Sequence, residues 1–130
     1  MAGALLSEQL VFNPEMKPYW EGCAQGRLML TRCLDTGTVF AYPRAISPFT
    51  LSSNVEWFEA SGRGEIYALS RIPSSEGVYA IAYVTLDEGP TILSGLVDDD
   101  DGLLQIGNRV RAVFREVEGG HLAPFFASNA

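Results

Sequence analysis

Cys33-Leu34-Asp35-Thr36 and Ser47-Pro48-Phe49-Thr50 are two four-residue segments of the form x-a-a-x, separated by ten residues and joined by a run through Tyr42-Pro43-Arg44. Strand-like runs flank them: Arg27–Arg32 before the first, Thr38–Tyr42 after it, and a segment ending at Glu56-Trp57 after the second. Two knuckles at this spacing have the outline of a zinc ribbon. In a working ribbon all four terminal positions are cysteines, because thiolates neutralise the metal and accept its tetrahedral geometry. Here Cys33 is the one thiol. Thr36, Ser47 and Thr50 carry hydroxyls, which do not ionise near neutral pH and are not customary zinc ligands. The layout predicts the ribbon shape, and the chemistry predicts that zinc is not bound. Hydroxyls in turns bond to nearby backbone, so Thr36, Ser47 and Thr50 are expected to satisfy the knuckles locally.

Upstream, Pro14 suits the first turn of a helix, with Asn13 as its cap and residues 1–12 as a lead ordered by a partner or not at all. The helix is expected through Cys23, with Met16, Tyr19, Trp20 and Cys23 on one face and a stop at Gly26. That face either packs on the rest of the chain or docks into another protein, for which Tyr19 and Trp20 are suitable anchors.

Downstream the pattern is strands. Val55–Ser61 and Glu65–Ile72, joined through Gly62-Arg63-Gly64, read as one long strand turning a barrel corner. Val78–Asp87 and Thr91–Val97 form a hairpin around Glu88-Gly89-Pro90. An acidic loop follows at 98–102, then one helical turn at Leu103–Ile106. Arg109–Val117 and His121–Ala127 pair across Glu118-Gly119-Gly120. Five strands in this order suit an OB-type Greek-key barrel, with an SH3-like barrel as runner-up.

Composition narrows the function. The 130 residues are 47% hydrophobic with a net charge of −7, enough to bury a core and poorly suited to a nucleic-acid backbone. The charge is uneven. Residues 1–53 hold four acids and four bases, whereas 54–130 hold twelve acids and five bases. Cys23 and Cys33 read as reduced thiols of a cytoplasmic protein. The N-terminal residues lack a signal-peptide pattern, and no apolar run approaches the ~18 residues of a membrane span. His121 has no nucleophile or orienting acid nominated beside it. Asp98–Asp101 lacks the ligand spacing of an EF-hand. Gly62-Arg63-Gly64 is too short for a phosphate loop. Arg27, Arg32, Arg44 and Arg63 would matter if several converged on phosphates or a partner's carboxylates.

Taken together, Tyr19-Trp20-Glu21-Gly22, Gly26-Arg27-Leu28, Arg32-Cys33, Tyr42-Pro43-Arg44, Glu56-Trp57, Ser61-Gly62-Arg63-Gly64, Leu86-Asp87-Glu88-Gly89 and Ile106-Gly107 resemble one family over nearly the whole chain. Its members join an N-terminal helix, a rubredoxin-like zinc ribbon and a C-terminal OB-fold, and are often encoded beside thiolases and other enzymes of acyl-CoA metabolism. The resemblance implies a mainly β protein of two parts: helix plus degenerate ribbon at 1–53 and a five-stranded OB-fold barrel at 54–130. It implies a non-catalytic accessory subunit that binds a thiolase-like enzyme and helps form or stabilise an acyl-CoA site. Partner or acyl-CoA contacts are expected from Tyr19, Trp20, Arg27, Arg32, Tyr42, Arg44, Phe49 and Arg63. No tightly bound cofactor is expected, and a coenzyme A thioester is the candidate ligand. The alternatives are a stand-alone acyl-CoA-binding OB module and, behind it, a single-stranded nucleic-acid binder. Substrate and oligomeric state are not written in the sequence.

Overall fold

The computed structural model describes residues 14–99, 102–117 and 120–129. The lead 1–12, the Asn13 cap, the middle of the acidic loop and the turn at 118–119 lie outside the described residues. The protein is mainly β, with a short N-terminal helix, a three-stranded sheet and a closed five-stranded barrel consistent with an OB-fold. The chain divides into two compact units, Met1–Ala60 with Phe114–Ala123 and Ser61–Val113 with Pro124–Ala130.

In the first unit a 3-10 turn at Pro14–Met16 leads into helix α1, Lys17–Ala24. Met16 occupies the cap position and makes no side-chain cap bond. The helix stops as expected at Gly26, whose φ of 73° is open to glycine at no steric cost. The Gly26 and Arg27 amides close the end by donating to the Cys23 and Gly22 carbonyls. Gly22 has a different duty. A Cβ there would collide with the Met29 side chain and lie 2.8 Å from the Arg27 carbonyl oxygen, so glycine lets the helix approach β1 closely.

Strand β1, Met29–Cys33, is the centre of the sheet, with β2, Val39–Phe40, on one side and β3, Val55–Glu59, on the other. This corrects one sequence expectation. Val55–Glu59 is no part of a bent barrel strand; it pairs antiparallel with β1 from Met29↔Glu59 to Cys33↔Val55. The register sets Arg32 opposite Glu56 and Thr31 opposite Trp57, pairs that favour this partner over the barrel.

The second unit holds β4 (Arg63–Ser74), β5 (Gly77–Leu86) and β6 (Thr91–Leu96), with β7 (Arg109–Glu116) and β8 (Leu122–Ser128) completing the barrel order β4-β5-β6-β8-β7. The barrel closes through β4 with β7, and β6 meets β8 in parallel at Leu96↔Phe126. Period-two alternation fills the interior with Ile66, Ala80, Ala82, Val84, Leu86, Ile92, Leu96, Val110 and Phe126, all buried. Gly62, with φ 73°, lies between β3 and β4 rather than at a corner within one strand, and a Cβ on Gly64 would lie 2.6 Å from the Thr85 carbonyl oxygen. The register shift falls one turn later, between Ile66 and Ala68.

A second correction concerns 103–106, which form no helical turn. Asp99 Oδ1 accepts from the Leu104 amide at 3.0 Å and Asn108 Oδ1 from the Gln105 amide at 2.9 Å. The Gly107 amide, which would close such a turn on the Leu103 carbonyl, donates instead to the Ile66 carbonyl at 2.9 Å.

Candidate docking site at the degenerate ribbon

The two knuckles share one backbone geometry. The Gly37 amide donates to the Cys33 carbonyl at 2.7 Å, and the Leu51 amide donates to the Ser47 carbonyl at 3.0 Å. Each donor lies four residues after the first knuckle position, and each has positive φ: 74° at Gly37 and 61° at Leu51. Such a conformation suits glycine at the first knuckle. At the second it is imposed on a leucine, at a cost of about 1–2 kcal/mol.

The four positions where ribbons carry cysteines do not fit zinc. Ser47 is fully buried, and its Oγ accepts from the Phe49 and Thr50 amides at 3.1 and 3.3 Å. Thr36 Oγ1 accepts from the Thr38 amide at 3.3 Å. Thr50 Oγ1 lies 4.0 Å from Cys33 Sγ and donates to Asp35 Oδ2 at 3.0 Å. One thiol among three hydroxyls already engaged with backbone or carboxylate is not the donor set of a structural zinc. Among the described residues, no three His, Cys, Asp or Glu side chains gather as a metal would require. The buried Cys33 thiol is drawn from its ordinary value down to about 7, chiefly by the Ser47 hydroxyl, then by the Thr36 hydroxyl, with burial opposing. The Asp35 carboxyl is held below the usual carboxylate range by Ser52, Asn54 and Thr50.

Beside the exposed Asp35, Thr36 and Thr50, the knuckle region also presents large apolar side chains outward. Leu51 is 80% exposed, and Leu34, Tyr42, Ile46 and Phe49 are 46–59% exposed. Phe49 also meets Phe40 edge-on at 6.0 Å, which steadies its ring. Tyr42 and Phe49 were expected as anchors. Leu34, Ile46 and Leu51 were not, although each lies inside or beside a knuckle, where little core is available to cover it.

The helix anchors stand differently. Tyr19 and Trp20 are half-buried, with ring centroids 5.1 Å apart, and Trp20 also meets His121 edge-on at 5.3 Å. Burial, reinforced by Cys23, pushes the Tyr19 phenol above its ordinary value, and burial pushes the Cys23 thiol up to about 11. This aromatic cluster is largely internal packing of the first unit.

Two of the four arginines are taken up by ion pairs. Arg27 pairs with Glu59 at 2.7 Å, and Arg32 pairs with Glu56 at 2.6 Å while lying 4.3 Å over the Phe58 ring. Both are therefore engaged across β1 and β3. Arg44 is exposed and makes no ion pair among the described residues, and Arg63 stands on the exposed side of β4 in the second unit. In that unit an open cleft of about 670 Å³ is lined by Arg71, Tyr79, Leu96 and Asp99 among others. Arg71 is spent there, bonded to Asp99 at 2.8 Å and to the Leu104 carbonyl at 2.7 Å.

Comparison with known proteins agrees with this anatomy. Residues 20–46 match the family described as the ChsH2 rubredoxin-like zinc ribbon domain, and residues 57–115 match the ChsH2 C-terminal OB-fold domain. A DUF35 domain-containing scaffold protein of Methanothermobacter thermautotrophicus is 36% identical over 94 residues, covering 67% of this chain and 71% of that protein. A protein of the same description from Pyrococcus furiosus is 28% identical over 109 residues, covering 79% and 80%. Among solved structures, the Ltp2-ChsH2(DUF35) aldolase superposes with a TM-score of 0.77 at 26% identity, covering 91% of this chain and 97% of that one. A DUF35 protein of unknown function from Sulfolobus solfataricus shares the fold, with a TM-score of 0.66 at 14% identity over 98% and 96%.

Proposed function

Since this chain belongs to the DUF35 family of ribbon-plus-OB-fold proteins, we propose that it is a non-catalytic accessory scaffold subunit. It binds a thiolase-like enzyme through its degenerate ribbon and helps form or stabilise an acyl-CoA site there. The scaffold naming of two relatives and the two-protein name of the matched aldolase support an assembly role. Reaction chemistry belongs to the partner in this reading.

The observation that carries it is Leu51. A leucine held at φ 61° and left 80% exposed costs conformational energy and gains little burial in the free chain. Its worth lies in what covers it. Leu34, Tyr42, Ile46 and Phe49 of the same unit are exposed as well, on charge-balanced sequence, and exposed apolar and aromatic side chains are what interface centres use.

The test is co-expression of the tagged chain with the thiolase-like enzyme encoded nearest its gene. A defined complex is expected, lost or weakened at least tenfold by Leu51→Asp with Phe49→Asp. An unchanged complex in that double variant would remove the ribbon from the interface. Calorimetry with a coenzyme A ester separates the stand-alone binder: the isolated chain is expected to give no saturable heat at micromolar ligand.

A further inference from the structure

A zinc ion in a ribbon is a cross-link: thiolates from the first knuckle and from the second meet at one charged centre, and the sheet folds around that tie. This chain keeps only Cys33 of the four thiols yet has both knuckles in matching geometry, so another group must make the tie. We infer that the carboxylate of Asp35 has taken over the metal's mechanical role.

Asp35 is the third residue of the first knuckle. Its Oδ2 accepts from the hydroxyl of Thr50, the last residue of the second knuckle, at 3.0 Å and from the hydroxyl of Ser52 at 2.6 Å. Its Oδ1 accepts from the side-chain amide of Asn54 at 2.9 Å. One anion thus collects three donors from 15 to 19 residues away. The donors are organised too: Ser52 Oγ accepts from the Asn54 amide at 3.2 Å, and the Ser52 carbonyl receives the Ser47 amide at 2.8 Å. The Leu34 amide donates to the Asn54 carbonyl at 2.9 Å, fastening the same two segments beside the carboxylate.

The substitution is chemically coherent. Zinc is a cation that gathers anionic ligands; here the polarity is reversed, and an anion gathers neutral donors. Thr50 occupies a former ligand position in both schemes. A carboxylate bonded to three donors holds them by charge-assisted hydrogen bonds, stronger than neutral ones but weaker than metal coordination. The ribbon is therefore tied without metal, and more loosely than a zinc-bound one.

Amide exchange on the purified full chain tests this, with the barrel as internal control. Asp35→Ala is expected to speed exchange at 33–37 and 47–54 about tenfold or more while β5 and β6 keep wild-type protection. Dialysis of the wild type against a chelator is expected to change neither region. Wild-type exchange in Asp35→Ala, or a ribbon that opens on chelation, would overturn the inference. A second variant, Thr36→Cys with Ser47→Cys and Thr50→Cys, completes four thiolates with Cys33. It is expected to bind Co²⁺ with the visible absorption of a tetrahedral thiolate site, and Asp35→Ala should then cost the cobalt-loaded ribbon no protection. Failure to take up cobalt, or an undiminished effect of Asp35→Ala in the loaded protein, would contradict it. None of these readouts depends on a partner, so they stand or fall apart from the docking proposal.

Discussion

Leu51 and Asp35 carry most of the argument at the scale of single residues, and each supports a prediction of known sign. Leu51→Gly removes a side chain from a left-handed backbone position, so the free chain is expected to gain about 1 kcal/mol of stability. The same variant should weaken the complex, because it deletes apolar contact surface. Chemical denaturation read beside partner titration checks both halves, and a variant that loses stability would refute the strain argument. Asp35 sets a pH dependence. The Ser52, Asn54 and Thr50 donors hold its folded-state pKa below the ordinary carboxylate value, so its stabilisation is complete above the unfolded value and is lost as pH falls through the lower folded value. Ribbon protection, taken relative to the intrinsic exchange rate at each pH, is expected to fall on acidification below about pH 4, and Asp35→Asn should flatten that dependence. Asp35's part was not visible in advance because Ser52 and Asn54 look like ordinary loop residues until the knuckles bring them to it.

At the scale of elements, the helix, the knuckles and the barrel were largely legible, and the reasons for the exceptions are specific. Period and turn chemistry mark β1, the β5–β6 hairpin and the Gly26 stop without reference to the rest of the chain. Val55–Glu59 was misassigned because alternation identifies a strand but not its partner; only the pairing Arg32↔Glu56 places it beside β1. Leu103–Ile106 forms no helical turn because the Gly107 amide that would close it is taken by the Ile66 carbonyl of β4, a partner that local sequence does not reveal. The ion pairs of Arg32 with Glu56 and of Arg27 with Glu59 were not legible, since they depend on the same pairing of β3 beside β1. For the barrel, Phe126 is wholly buried at the parallel β6–β8 contact. Phe126→Ala is expected to cost about 3–5 kcal/mol, read as a lowered urea midpoint. A cost below about 1 kcal/mol would mean that the barrel does not pack as described.

At the scale of the molecule, the net charge of −7 is the property that bears on nucleic-acid binding. The acidic balance opposes a phosphate backbone, and Arg27, Arg32, Arg71 and Arg109 are each paired to a carboxylate, while Arg63 and Arg111 stand exposed opposite each other on β4 and β7. A gel shift with single-stranded oligonucleotide is expected to show no complex at low or physiological salt. Among the described residues no helix is long and apolar enough to cross a membrane. What the fold does offer is a ribbon tied by a carboxylate, with apolar side chains turned outward and no thiolate set to hold a metal. The most direct test of docking through that ribbon is differential amide exchange of the whole chain, free and with its thiolase-like partner. Protection is predicted to rise at 33–37 and 46–52 and to stay unchanged in β5 and β6. Protection gained only in the barrel, with the knuckles unaltered, would contradict the account.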